Sequence, residues 1–163
     1  MDPATFLTQR VYGYAHLSDS ERSAISDFTF LWSAMEGSVL NAAATPGALV
    51  KKCGEMALRG RLDLEHYADS LAYFRDRYFQ GGEFTHNFQQ LLFRQHDRRD
   101  LVEAVLSGRE NAPQEVVAAL LLIVYRLRNN LFHGIKWAYG IKDQEQNFTH
   151  GSKVLMGVLS AYY

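Results

Sequence analysis

The sequence predicts an all-α protein, an up-and-down bundle of about four main helices with short extra ones. Apolar residues recur at three- and four-residue steps over long stretches, and no segment alternates as a half-buried strand would. Leu, Ala, Arg, Glu and Gln are plentiful, while only three prolines interrupt 163 residues, a balance that favours helix. A chain of this length fits a single domain, residues 1–163, with a core of its own.

Residues 1–19 read as an irregular lead-in, with "YGYAHLSDS" supplying turn and cap chemistry. Ser20 is a candidate cap, and from Glu21 onward Ile25, Phe28, Leu31, Trp32, Met35, Val39 and Leu40 mark one long amphipathic helix ending near "ATPG". A shorter helix is expected from Ala48 to Leu58, stopped by Gly60. Leu64 to Tyr78 reads as the next, closed by Gly81–Gly82. "FTHNFQQLLFRQ" and "RRDLVEAVLSG" suggest two short helices. "NAPQEVVAALLLIVYRLRNNLFHG" carries the clearest signals: Pro113 in the first turn, Glu115 near the positive end of the dipole, and Gly134 at the far end. Its stripe of Val117, Leu120, Leu121, Val124, Leu127 and Leu131 faces the core. A last helix is expected over Asp143–Ala161.

Composition narrows the setting. Cys53 is the only cysteine, so no internal disulfide forms, which fits a reducing compartment. "MDPATFLTQR" lacks the basic-then-apolar order of a secretory signal. The longest apolar run, Val116–Tyr125, is about half a membrane span. A cytoplasmic location is the expectation. Net charge is −1, so any affinity for phosphate has to be local. Between Val116 and Lys142 stand Arg126, Arg128, Lys136 and Lys142, with no Asp or Glu.

The end of the best-signalled helix breaks its own apolar rule. "YRLRNNLFHG" places Arg126, Arg128, Asn129, Asn130 and His133 within eight positions. Each helical step turns about 100°, so Asn129 and His133 share a face and Arg126 nearly superimposes on His133. Arg128 stands about 140° from His133, within reach only of a long side chain swinging across the helix end. Histidine moves protons near neutral pH, and arginine offers a permanently charged planar fork to phosphate oxygens.

"RNNLFHG" resembles the signature of the HEPN superfamily of helical-bundle domains: an arginine, commonly followed by asparagine, then four to six residues and a histidine. Arg128, Asn129 and His133 match that spelling, with four residues between arginine and histidine. Arg126 satisfies the looser spacing; Arg128 is favoured because Asn129 follows it. "FTFLWSAMEGSVL" is similar to the first helix of such domains, with Glu36 in the place of a recurring polar residue. The resemblance covers much of the chain.

It implies a metal-independent endoribonuclease without cofactor, in which a 2′-hydroxyl attacks the neighbouring phosphate to leave a 2′,3′-cyclic phosphate. The expected role is a toxin or antiviral effector. Catalytic duty falls to Arg128, His133 and Asn129, with Glu36, Arg126 and Asn130 in support. Lys136, Trp137, Tyr139 and Lys142 are the expected RNA contacts, lysines on the backbone and aromatic rings on bases. A two-fold homodimer pairing the 113–133 helices would supply the second acid or base. A cognate inhibitor or sensor protein is a further expected partner. Where the family's nucleotidyltransferase-silenced toxins carry a tyrosine two residues after the histidine, this chain has Ile135.

Plain alternatives stand beside each residue. Arg126 and Arg128 also suit cations answering the helix dipole, Gly134 an ordinary C-cap, and Glu36 a solvated helix acid. His66, His86, His96 and His150 show no metal spacing and read as surface or cap groups, "RQHDRRD" as a solvated salt-laced segment or an RNA contact, and Cys53 as inert. The competing function is a non-catalytic module of the same fold that binds RNA or nucleotide or scaffolds a protein. A helical adaptor with no ligand is the third.

Overall fold

The computed structural model describes residues 1–134 and 144–163, and over them the protein is all-α. The helices are α1 (Pro3–Arg10), α2 (Asp19–Val39), α3 (Pro46–Leu58), α4 (Ala68–Tyr78), α5 (His86–Gln89), α6 (Arg99–Leu106), α7 (Pro113–Phe132) and α8 (Glu145–Tyr162). Single 3-10 turns at Tyr14–His16 and Leu64–Tyr67 precede α2 and α4. Gly81 and Gly82, both at positive φ, turn a two-residue antiparallel hairpin, Phe79–Gln80 with Glu83–Phe84, rather than simply ending α4.

Helix α7 is the axis of the molecule. Every residue from Val116 to Val124 is buried, so the helix is apolar all round along this stretch and must be enclosed on all sides. Helices α3, α6 and α8 pack against it, while α2 and α4 pack on α8. Each fully buried Leu, Ile or Val of such a segment contributes about 1.5–3 kcal/mol relative to exposure.

Local chemistry sets the helix starts. Ser18, not Ser20, caps α2: its hydroxyl accepts the Glu21 N–H at 3.1 Å and the Glu21 carboxylate accepts the Ser18 N–H at 2.8 Å, a reciprocal capping box. Thr45 caps α3 at 3.1 Å and Pro46 fills the first turn, which starts that helix two residues before Ala48. The N-terminal lead-in also contains a helix. Asp2 caps α1 through the Thr5 N–H at 3.0 Å, with Pro3 following. Because α1 buries none of its residues, it leaves no apolar stripe in the sequence.

Two glycines let α8 approach its neighbours. A Cβ built on Gly151 would lie 2.8 Å from Cε2 of Phe28, whose ring is itself buried against Phe148 at a centroid distance of 5.1 Å. One on Gly157 would lie 2.9 Å from the Tyr67 ring. His150, expected at the surface, is buried. Its imidazole stacks on Tyr73 with centroids 4.2 Å apart and planes at 5°, and Nδ1 lies 3.4 Å from the Ser70 hydroxyl. Burial, then Lys153, pull its pKa below the ordinary 6.5, while Asp69 pushes it back. Cys53 is buried too, and burial raises its thiol to about 12, which keeps it unreactive.

Two outcomes are expected. Gly151→Ala gains about 1 kcal/mol of helix propensity but meets the Phe28 ring, and overpacking of about 1–3 kcal/mol outweighs it. Thermal unfolding of the variant should therefore begin several degrees lower. Burial holds the folded pKa of His150 below its unfolded value. Its contribution to stability is complete above about pH 6.5 and is lost as pH falls through the lower folded value. Melting temperatures measured from pH 7 to pH 5 should fall more steeply for the native chain than for His150→Gln.

Candidate functional site

The polar residues of α7 divide between two directions. Arg126 and Arg128, two residues apart, stand about 200° apart around the helix, and neither turns back on the helix-end carbonyls.

Arg126 and Asn130 face the connection between α5 and α6. Arg126 is only 2% exposed. Its Nε donates to the Leu91 carbonyl at 3.0 Å, and Nη2 donates to Oδ1 of Asn130 at 3.3 Å. Nη1 lies 3.1 Å from Oδ2 of Asp97, which is likewise buried. That last contact is an ion pair without hydrogen-bond alignment, since Nη1 has no hydrogen-bond partner among the described residues. Asn130 donates its Nδ2 to the carbonyls of Gln90 and Leu91, each at 3.2 Å. Asp97 also accepts the Arg94 backbone N–H at 2.7 Å. Burial lowers the Arg126 pKa, and Asp97 opposes that shift. The guanidinium is thus enclosed by protein groups.

Arg128 lies on the side of α7 that meets α2. It is half-buried, its side chain 30% exposed. Its Nη1 donates to Oδ1 of Asn129 at 2.9 Å, and Nη2 stands 3.8 Å from Oε2 of Glu36. The guanidinium carbon sits 5.6 Å from the Trp32 ring and 5.1 Å from the Phe132 ring, a cation–π clamp. Trp32 in turn donates its Nε1 to the same Glu36 oxygen at 2.8 Å. Glu36 therefore orients both indole and guanidinium. Nε of Arg128 is buried and has no hydrogen-bond partner among the described residues.

His133 is the C-cap of α7 and is exposed. Its backbone N–H donates to the Asn129 carbonyl at 2.9 Å. Gly134 follows at φ 72°, the left-handed conformation that ends a helix without a Cβ penalty. Asn129 thus touches both motif residues, Arg128 through its side chain and His133 through its carbonyl. No hydrogen bond joins Arg128 to His133 among the described residues. Lys136, Trp137, Tyr139 and Lys142 lie outside the described residues.

Asp97 and Phe132 were not among the residues singled out from the sequence, and Trp32 was read there only as part of the apolar stripe of its helix. Asp97 sits inside "RQHDRRD", and only part of that segment is the expected solvated ladder: Arg98 with Asp100 at 3.2 Å and Arg99 with Glu103 at 2.7 Å. The signal that points to Asp97 is the Arg126/Asn130 pair, four apart on an otherwise apolar helix. A buried guanidinium demands a buried acid.

No family model matches the chain, and neither a curated protein nor a solved structure matches it.

Removing Asp97 alone should strand a buried charge. Asp97→Ala is expected to cost about 3–5 kcal/mol of stability in denaturant titrations, and the double variant Asp97→Ala/Arg126→Met should recover much of that loss. A double-variant loss equal to the sum of those of Asp97→Ala and Arg126→Met would mean that the pair is not coupled.

Proposed function

We propose that this chain is an endoribonuclease that works without a metal, Arg128 binding the scissile phosphate and His133 moving the protons. The observation that carries the reading is an arginine held in place by aromatic rings and only loosely paired with Glu36, on a helix whose next-turn histidine is exposed. Glu36 lies 3.8 Å from the guanidinium, too far for a hydrogen bond. The clamp of Trp32 and Phe132 fixes the plane of the fork without consuming its donors.

In this reading the 2′-oxygen attacks phosphorus while a base takes its proton. The bond from phosphorus to the 5′-oxygen breaks, and an acid protonates the leaving oxygen, giving a 2′,3′-cyclic phosphate and a 5′-hydroxyl. Arg128 stabilises the charge gathering on the non-bridging oxygens, and Asn129 keeps arginine and histidine in register. One protomer brings one His133, while the reaction uses an acid and a base. A two-fold dimer meeting at the ends of α7 supplies the second. RNA is then the partner, the homodimer the active unit, and a toxin or antiviral effector the cellular role.

The second reading is a module that binds RNA or nucleotide without cutting it. It is favoured by the lack of any hydrogen bond between Arg128 and His133 among the described residues.

Labelled RNA incubated with the protein in EDTA should yield cyclic-phosphate ends. His133→Ala should slow the reaction about 10²–10⁴-fold with an unchanged helical circular-dichroism spectrum. Arg128→Lys should fail to restore the activity lost in Arg128→Ala, because an ammonium cannot reproduce the fork. Equal cleavage by the native chain and His133→Ala would end the enzyme reading. RNA affinity that survives His133→Ala but falls in Arg128→Ala, with no cleavage by the native chain, would select the binding module.

A further inference from the structure

The connection between α5 and α6 is built in a way that its length does not require. Leu92 and Arg98 both adopt left-handed backbone, at φ 54° and 55°, a conformation that costs a non-glycine residue about 1–2 kcal/mol. What holds them there comes from α7: the Leu91 carbonyl accepts from Arg126 and Asn130, and Asp97 pairs with Arg126. The segment's shape is dictated by the same helix that carries Arg128 and His133.

That anchoring also sorts the segment's charges. From Gln90 to Arg99 the only acid is Asp97, and it is turned inward onto the buried guanidinium. The exposed side keeps Arg94, His96, Arg98 and Arg99. Arg98 and Arg99 are paired with Asp100 and Glu103. Arg94 and His96 have no side-chain hydrogen bond or ion pair among the described residues, so the fold does not need their side chains. The result is an edge, anchored through Leu91 and Asp97, that presents Arg94 and His96 on a protein whose overall charge is −1.

Position relates this edge to the site. Arg126 and His133 are seven residues apart, about 20° offset and about 10 Å apart along the helix. The stripe of α7 that grips the connection therefore continues to His133.

We propose that the Arg94–His96 edge of the α5–α6 connection is an anchoring surface for the phosphate backbone of an RNA strand, on the stripe of α7 that ends at His133 and across the helix from Arg128. The inference rests on the ribonuclease reading and extends it. Phosphates flanking the scissile one meet Arg94 and His96, and because these contacts are to backbone they add affinity for length rather than for sequence. Dinucleotides, too short to reach the edge, gain nothing from it.

The test measures fluorescence anisotropy of a labelled single-stranded RNA of about 20 nucleotides across a salt series. His133→Ala serves as the non-cleaving parent, and Arg94→Ala/His96→Ala is added to it. Affinity should fall about 5–20-fold, and the slope of log affinity against log salt should become shallower by about 0.7 per lost contact. Arg10→Ala, removing a cation of α1, should change neither quantity. In the otherwise native chain, Arg94→Ala/His96→Ala should raise KM for the long RNA and leave dinucleotide cleavage unchanged. An unaltered thermal melt shows that the fold is intact, as the exposure of both side chains predicts. If the double variant keeps parental affinity and salt slope while the native chain still cuts RNA, the edge is no phosphate surface and the ribonuclease reading stands. If the native chain neither binds nor cuts RNA, both fall together.

Discussion

The buried ion pair between Arg126 and Asp97 is the constraint around which the end of α7 is organised. Taking a guanidinium out of water costs several kcal/mol unless its donors are met. Here two of its three nitrogens meet an acceptor, and the third faces the carboxylate at 3.1 Å. Replacement of the pair by apolar residues would serve stability about as well. What the pair adds is position: it binds a segment 29 residues earlier in the chain to the helix (126 minus 97). It also settles which arginine faces outward. With Arg126 enclosed, helical geometry turns Arg128 to the opposite side, where α2 offers an indole and a carboxylate.

Long-period features of the fold were legible because burial writes them into the chain. The apolar stripe of α7 is buried at every position expected from its spacing, Val117, Leu120, Leu121, Val124, Leu127 and Leu131. Helices whose stability comes from caps rather than from packing left weaker traces. Helix α1 buries nothing and so has no stripe, and the choice of Ser18 over Ser20 depends on the Glu21 carboxylate three residues on. His150 read as a surface group for a related reason. Its burial follows from Tyr73 and Ser70 on α4, contacts between distant positions that no local pattern records.

The polar cluster at the end of α7 was legible in the sequence, but its arrangement was not. Polar residues at 126, 128, 129, 130 and 133 interrupting an apolar helix announce that something other than core packing occurs there. They do not say which of them serve the fold. Arg126 and Arg128 are chemically identical and nearly adjacent. Only the location of Asp97 and Glu36, each brought up by a different element, gives one a buried partner and the other a half-exposed clamp. Glu36 itself is neither free in solvent nor in tight contact with Arg128, since it accepts from Trp32 at 2.8 Å and stands 3.8 Å from the guanidinium.

A helix C-terminus is an unpromising place to receive an anion, because the macrodipole puts about half a negative charge there. Helix α7 carries no basic residue in its last turn. Under the ribonuclease reading, the phosphate must therefore be recruited by cations brought from outside the last turn. Arg128 reaches forward from one side, and the edge at Arg94 and His96, held by Arg126, stands on the other. The dipole opposes phosphate by about 0.3–1 kcal/mol at an exposed end, whereas a hydrogen bond to a charged group contributes about 1.5–3 kcal/mol. One well-formed arginine fork is enough to reverse the sign, and the Trp32 and Phe132 rings hold the guanidinium of Arg128 between them. The buried pair and the half-exposed pair then work as one device: the first spends an arginine on shape so that the second can be left for charge.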